Sequence, residues 1–124
     1  MNMEEQKPRP AILLEENLKK ALTELMMLSL LSEKDRYVGE LSALLREKSG
    51  GVLNVVFPYG AIYRLERAGY VCELGTRNAP DGRRRQYFGI TEEGRAYLAQ
   101  LLETYERFSA SVAAVLTKGE ATHE

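Results

Sequence analysis

The sequence predicts a mainly α-helical domain of the α+β class, in which three helices precede a two-stranded hairpin and a long final helix. Two observations support this prediction. Apolar residues recur at helical spacing up to Gly69, and the period changes to two between Tyr70 and Ile90. A helical period returns after Thr91. We therefore divide the chain into a flexible tail (residues 1–12), a compact domain (13–91), a long helix (92–117) and a frayed tail (118–124).

The first helix is predicted from Ala11 to about Ser32. The run LTELMMLSLL is apolar nearly all round, which predicts burial on more than one side of the helix. The residues that recur at helical spacing are Leu14, Leu18, Leu22, Leu25, Met26 and Leu30.

The second helix is predicted from about Arg36 to Lys48, with Val38, Leu41 and Leu45 on one face. Asp35 is a suitable N-cap residue, because its carboxylate can accept from a free backbone N–H group. The Gly50–Gly51 pair is expected to end the helix.

The third helix is predicted in the segment FPYGAIYRLERAG. Pro58 suits a first-turn position, where its missing N–H group costs nothing. At 100° per residue the helix has two faces. Pro58, Ile62, Leu65 and Gly69 lie on one face; Gly60, Tyr63, Arg64 and Arg67 lie on the other, with Tyr59 at the border.

A hairpin is predicted from the strand-like segments Tyr70 to Thr76 and Arg85 to Ile90. The loop RNAPDGRR between them contains proline, which restricts φ, and glycine, which accepts a positive φ. Three helices followed by such a hairpin are typical of a winged helix-turn-helix. Tyr87, Phe88 and Ile90 on the second strand are expected in the core.

The final helix is predicted to begin after Thr91, an N-cap residue followed by two glutamates. Its apolar residues follow a heptad spacing. This seam consists of Leu98, Leu101, Tyr105, Phe108, Val112 and Val115. The seam either covers its own domain or forms a two-fold interface. We favour a homodimer, because a winged helix core does not need this additional stripe.

The distribution of charge predicts a partner of negative charge. The formal net charge is −1, but residues 59–88 contain six arginines against three acidic residues. A basic region confined to one part of the chain favours double-stranded DNA as the partner. The candidate DNA-binding residues are Tyr59, Tyr63, Arg64, Arg67, Arg83, Arg84 and Arg85.

The same residues have simpler interpretations. Arg64 and Arg67 are also compatible with a solvated helix face, and Tyr59 with packing in the core. The arginine run is also compatible with a solvated turn, in which Arg85 pairs with an acid of its own chain. A winged helix that binds a protein instead of an operator is the alternative function.

Enzymatic function is not expected, and we predict no catalytic residue, cofactor or metal site. The one histidine, His123, lies in the final tail, and Cys72 has no histidine near it in sequence. No phosphate-binding loop motif occurs. The chain lacks a long apolar segment and an apolar signal core, so we expect no membrane association and a cytoplasmic location.

The sequence resembles the PadR family of bacterial transcriptional regulators. LTELMMLSLLS and YVGELSALLRE resemble the first two helices of the family, and GRRRQYFGITEEGR resembles the second wing strand and the start of the final helix. PYGAIYRLERAGYV is similar to the third-helix motif Tyr-Pro-Ala-Leu-x-x-Leu-Glu-x-x-Gly-x-Ile, with Gly60 in place of proline and Ile62 in place of leucine. Family members commonly have Gly-Thr before this tyrosine, where this chain has Phe57–Pro58.

The resemblance implies the subgroup with a short C-terminal part, a homodimer built by the final helix, and repression of nearby genes that a small molecule relieves. A two-fold dimer places its recognition helices about 34 Å apart and therefore requires a near-palindromic operator. A pocket for a small apolar or aromatic effector is expected at the seam from Met26, Tyr97, Tyr105 and Phe108. The alternative for these four side chains is ordinary core packing.

Overall fold

The computed structural model describes residues 9–55 and 58–116 of the 124-residue chain. The elements in chain order are α1 (Arg9–Glu33), β1 (Arg36–Tyr37), α2 (Val38–Lys48), α3 (Pro58–Arg67), β2 (Val71–Asn78), β3 (Arg84–Ile90) and α4 (Glu92–Val115). Every predicted helix and strand is present. The first helix begins at Arg9, within the segment predicted as a tail. Residues 1–8 and the predicted tail at 118–124 lie outside the described residues.

The sheet has three strands in the order β1-β3-β2, all antiparallel, where the sequence predicted two. The additional strand β1 has only two residues, and Arg36 in it pairs with Phe88. The Arg36 side chain is buried; it donates to the Leu30 carbonyl at 3.0 Å and forms ion pairs with Glu33 and Glu40. These partners satisfy a buried guanidinium and hold β1 against the sheet.

The prediction of Asp35 as the N-cap of α2 is wrong, because strand β1 lies between Asp35 and the helix. Because Arg36 and Tyr37 are extended, α2 begins only at Val38 and its N-cap residue is Tyr37, which makes no side-chain capping bond. The Asp35 carboxylate accepts instead from the Arg77 guanidinium at 3.3 Å, and so connects the segment after α1 to strand β2.

The core lies where α1, α2, α3 and α4 cover the sheet. The largest fully buried side chains are Phe88, Met27, Leu28, Leu31, Leu41, Ile62 and Leu65. The predicted burial of α1 on more than one side is confirmed for its second half. Its first half instead exposes Ile12, Leu13, Leu14 and Leu18.

The predicted end of α3 at Gly69 and the predicted N-cap of α4 at Thr91 are confirmed. Gly69 has a φ of +88°, and the N–H groups of Gly69 and Tyr70 donate to the carbonyls of Glu66 and Leu65. This is the Schellman arrangement, which ends α3 before the chain enters β2. At the start of α4, the Thr91 hydroxyl accepts from the Gly94 N–H group at 2.9 Å.

Candidate nucleic-acid interface

Helix α3 buries one face and exposes the other. Ala61, Ile62 and Leu65 are buried, so the opposite face carries Tyr63 and Arg67, with Tyr59 beside them. Tyr59 is 55% exposed and its ring lies 6.0 Å from that of Tyr63, which rules out the interpretation of Tyr59 as a core residue. The exposed face therefore presents two phenol hydroxyls and one guanidinium to any partner of α3.

Arg64 differs from the other candidates on α3. Its Nε atom donates to the Glu24 carboxylate of α1 at 3.1 Å, across 40 positions of sequence. At 100° per residue, Arg64 lies on the flank of α3 that faces α1 and not at the centre of the exposed face. The structure thus separates two arginines that the sequence placed together.

Arg67 lies near the centre of the exposed face of α3. Within residues 9–55 and 58–116, its side chain forms no ion pair or hydrogen bond, and the residue is exposed. An unneutralised guanidinium on such a helix face is suited to bidentate contact with a guanine edge or a phosphate.

The wing tip is a turn over Ala79–Gly82, followed by the arginine run. The Ala79 carbonyl accepts from Gly82, and Gly82 has a φ of +87°, a left-handed conformation that is common for the residue closing a hairpin turn and that favours glycine. The Asp81 carboxylate accepts from the Arg83 backbone N–H group at 3.0 Å and from the Arg85 guanidinium at 2.9 Å. The turn sequence therefore determines where the arginine side chains lie.

Asp81 remains ionised at neutral pH. The backbone hydrogen bond from Arg83 and the side-chain hydrogen bond from Arg85 lower the pKa of this carboxyl below its ordinary value of 3.8. Because the folded-state pKa is lowered, Asp81 stabilises the turn at all pH values above 3.8. That contribution is lost only as the pH falls through the lowered value.

The three wing arginines have different surroundings. The Arg85 guanidinium pairs with Asp81 and lies 5.1 Å from the centre of the Tyr37 ring. Arg85 therefore forms an ion pair with an acid of its own chain, which is the simpler of the two interpretations given above. Arg84 donates to the Thr76 hydroxyl across the hairpin at 2.6 Å. Only the Arg83 side chain has no hydrogen bond or ion pair to the part of the chain that the structure describes. Arg83 is thus the wing arginine with an unoccupied guanidinium.

A stack of arginines and tyrosines connects the wing to the rest of the domain. Arg77 lies 5.0 Å from the Tyr87 ring, Tyr87 contacts Tyr37 edge to face at 5.6 Å, and Arg85 covers Tyr37. Cation–π contacts of this kind are worth about 0.5–1 kcal/mol each at exposed positions. Sequence reasoning missed this stack, because the only signal is the strand pairing of Tyr37 with Tyr87.

The predicted seam of α4 divides into two parts. Leu98 is buried in the core of its own domain, and Leu101 packs against that core. Beyond them, Tyr105, Phe108, Val112 and Val115 are exposed along one side of the helix. The interpretation as a domain cover thus fits the first turns of α4, while the later turns present an apolar stripe to solvent.

The structure does not bring the four candidate effector residues together within one chain. Met26 borders an apolar cavity of about 320 Å³ between α1 and α2, which is open to solvent. Tyr97 stacks on Tyr70 at 4.2 Å, and Tyr105 and Phe108 are exposed on α4. The cavity beside Met26 is lined by none of the other three candidates, Tyr97, Tyr105 and Phe108.

None of the helices within residues 9–55 and 58–116 has both the length and the apolar character needed to cross a membrane. The same part of the chain contains no group of three or more His, Cys, Asp or Glu side chains suited to hold a metal ion.

Known proteins share the sequence pattern and the fold of this chain. Residues 27–100 match the model of the PadR-like family of transcriptional regulators. A transcriptional regulator from Clostridium thermocellum is 28% identical, with a TM-score of 0.72 over 82% of this chain and 99% of its own. A transcriptional regulator from Streptococcus is also 28% identical, with a TM-score of 0.70 over 79% of this chain and 95% of its own.

A PadR family transcriptional regulator from Eggerthella lenta has a TM-score of 0.74 over 95% of this chain and 100% of its own. At 19% identity this similarity establishes the fold alone. The family match covers more than half of the chain, from the buried part of α1 through the helix α3, the wing and the first turns of α4. The chain belongs to the PadR-like family of transcriptional regulators.

Proposed function

We propose that the protein is a homodimeric, sequence-specific DNA-binding regulator in which α3 enters the major groove and the wing lies along the adjacent backbone. The observation that supports this proposal most directly is the exposed face of α3, where Arg67 has no ion-pair partner among the described residues. Arginine read-out of guanine through O6 and N7 is the commonest specific contact in the major groove.

Tyr59 and Tyr63 are proposed to donate to phosphate oxygens and so to hold α3 in register. Both tyrosines are exposed beside Arg67. A neutral hydroxyl can donate to a phosphate of the DNA backbone without the desolvation of a charged side chain. Arg83 at the wing tip and the more constrained Arg84 supply further phosphate contacts. Arg85 is shared with Asp81 and therefore contributes less charge to the interface.

Arg64 has a secondary role in this proposal. Its ion pair with Glu24 lies at the surface, and surface pairs are worth only about 0–1 kcal/mol. A DNA phosphate can therefore compete with Glu24 for the guanidinium. Arg64 then serves as a flanking backbone contact, while Arg67 is the main candidate for base read-out.

Dimerisation through α4 is supported by the exposed apolar stripe of its later turns and by the exposed leucines in the first half of α1. Large apolar side chains that are exposed along helices of one chain are typical of an interface between protein chains. A two-fold axis through this interface presents two α3 helices to successive major grooves, so the operator is near-palindromic. Repression of a nearby operon, relieved by a small apolar or aromatic molecule, is the regulatory role that we infer from the family.

The test is a fluorescence anisotropy titration of the protein against the promoter of its own transcription unit, at two salt concentrations. We expect tight binding that weakens steeply with salt, because each neutralised phosphate adds about −0.9 to the log–log slope. A scrambled duplex of the same length is the competitor. Weak binding to both duplexes that does not change with salt would instead favour a winged helix that binds a protein.

Replacing Arg67 with alanine should remove preference at one base pair of each half-site. The expected loss is about 1–3 kcal/mol of discrimination, because a bidentate guanine contact is lost. The measurement is competition between the operator and single-base variants of it. Arg107→Ala is the matched control, because it removes the same charge from an exposed position on α4. A uniform weakening of all duplexes by Arg67→Ala would identify Arg67 as a phosphate contact.

A further inference from the structure

A small cavity lies between α3 and the wing, which is the hairpin formed by β2 and β3. It has a volume of about 130 Å³ and lies where the first turns of α2 and α3 meet the start of β3. Among its lining residues are Ser42 on α2, Tyr59 on α3 and Arg85 on β3. Since a water molecule occupies about 30 Å³ in the liquid, the cavity has room for a small polar group.

Two polar atoms beside this cavity have no hydrogen-bond partner. The Ser42 hydroxyl and the Nε atom of Arg85 are both shielded from bulk solvent, and neither is paired in the described structure. A buried polar group without a partner is destabilising, and such groups are rare in native proteins. Two of them on residues that line one cavity make this cavity a candidate site for a polar ligand.

Such a ligand is an acceptor, because an Nε–H group can only donate and a serine hydroxyl can turn its proton towards an acceptor. Arg85 is the only charged lining residue of the cavity in the part of the chain that the structure describes, and its ion pair with Asp81 leaves the Nε–H group without a partner. The N-terminus of α2 beside it has no side-chain cap. The unpaired N–H groups of a first helical turn also favour a negatively charged group.

We infer that this cavity, here called the Ser42 notch, receives one phosphate group of the DNA backbone, held by Ser42 and Arg85. This inference rests on the proposed function, because it places a phosphate between α3 in the major groove and the wing beside it. Tyr59 borders the notch and is 55% exposed, so its hydroxyl is free to contact the same or the next phosphate.

The unpaired Ser42 hydroxyl is expected to destabilise the protein when no DNA is bound. Ser42→Ala removes an unsatisfied buried hydroxyl, so its melting temperature should equal or exceed that of the wild type. Its affinity for DNA should fall about tenfold, because a hydrogen bond to a charged group is lost. Since a phosphate carries no sequence information, operator and scrambled duplex should weaken by the same factor. The salt slope should stay unchanged, because serine is neutral.

The experiment combines anisotropy titrations of wild type, Ser42→Ala and Ser111→Ala with thermal melts of all three. Ser111→Ala is the control, because its hydroxyl contacts only the Arg107 carbonyl on the exposed part of α4. Duplexes with a single neutral methylphosphonate then identify the contacted phosphate. At that position the substitution should weaken the wild type by a larger factor than Ser42→Ala, in which only the contact with Arg85 remains to be lost; a purely structural role of Ser42 cannot produce this difference.

Three results would overturn the inference. If wild type binds duplex DNA and Ser42→Ala binds equally well, the notch receives no phosphate although the proposed function stands. If Ser42→Ala loses stability and affinity in parallel, Ser42 is structural. If inorganic phosphate shifts the Arg85 Nε–H resonance while no methylphosphonate position depends on Ser42, the notch binds free phosphate. Failure of the wild type to bind any duplex would defeat the proposed function itself.

Discussion

Phe108→Asp should convert the protein from a dimer to a monomer and abolish tight binding to the operator. Phe108 is 69% exposed in the single chain and lies in the apolar stripe formed with Tyr105 and Val112. Burial of a phenylalanine side chain is worth about 1.5–3 kcal/mol, and a two-fold interface contains the residue twice. The dimer is therefore expected to weaken by about 3–6 kcal/mol, or two to four orders of magnitude in its dissociation constant.

Sedimentation velocity measures the oligomeric state, and anisotropy with a full operator and with a half-site measures DNA binding. We expect the variant to bind both duplexes with similar, weak affinity, because each monomer has only one recognition helix. Ala110→Asp is the control. It places the same charge on the opposite, exposed face of α4 and costs at least as much helix propensity. A wild type that sediments as a monomer would remove the basis of the palindrome argument.

Local chemistry explains which parts of the fold the sequence could predict. The helical periods, the turn at Pro80–Gly82, the end of α3 at Gly69 and the Thr91 cap depend on residues that are neighbours in sequence. Strand β1 could not be predicted, because two residues show no period. Its position depends on the burial of Arg36 among groups from α1 and α2, which is a property of tertiary packing.

The candidate site shows the same division. The sequence correctly placed Tyr63 and Arg67 on the exposed side of α3, because a helical wheel suffices for that assignment. It left Tyr59 at the border between the two faces, and the structure shows that this residue is exposed. It could not separate Arg64 from Arg67, since the partner of Arg64 lies 40 positions away. It also could not rank the wing arginines, because their availability depends on which of them Asp81 and Thr76 contact across the turn.

The end of α3 and the start of α4 meet close to Gly94. The Thr91 hydroxyl donates to the Gly69 carbonyl at 2.7 Å, and the Thr91 N–H group donates to the Tyr70 carbonyl at 3.0 Å. These bonds attach the start of α4 directly to the end of α3. The direction of α4 relative to α3 is therefore determined within a few residues, where Gly94 packs against the Tyr70 backbone.

Gly94→Ala should destabilise the fold by about 3 kcal/mol or more, which lowers the melting temperature by about 10 °C. A Cβ atom at this position would lie 2.1 Å from the Tyr70 carbonyl oxygen and 2.8 Å from Cγ1 of Ile90, so the backbone of one element has to move. The measurement is a thermal melt at constant protein concentration, because dimerisation makes the midpoint depend on concentration.

Gly60→Ala is the matched control, because Gly60 is the third residue of α3 as Gly94 is the third residue of α4. A Cβ atom on Gly60 would meet only the end of the Arg64 side chain, at 3.6 Å. That substitution should be neutral or stabilise the helix by up to about 1 kcal/mol, since alanine has the higher helix propensity. Equal melting temperatures for the two variants would show that α4 can shift away from Tyr70 without loss of packing. In that event the angle between α4 and α3 is adjustable, and the operator spacing is not determined by this junction.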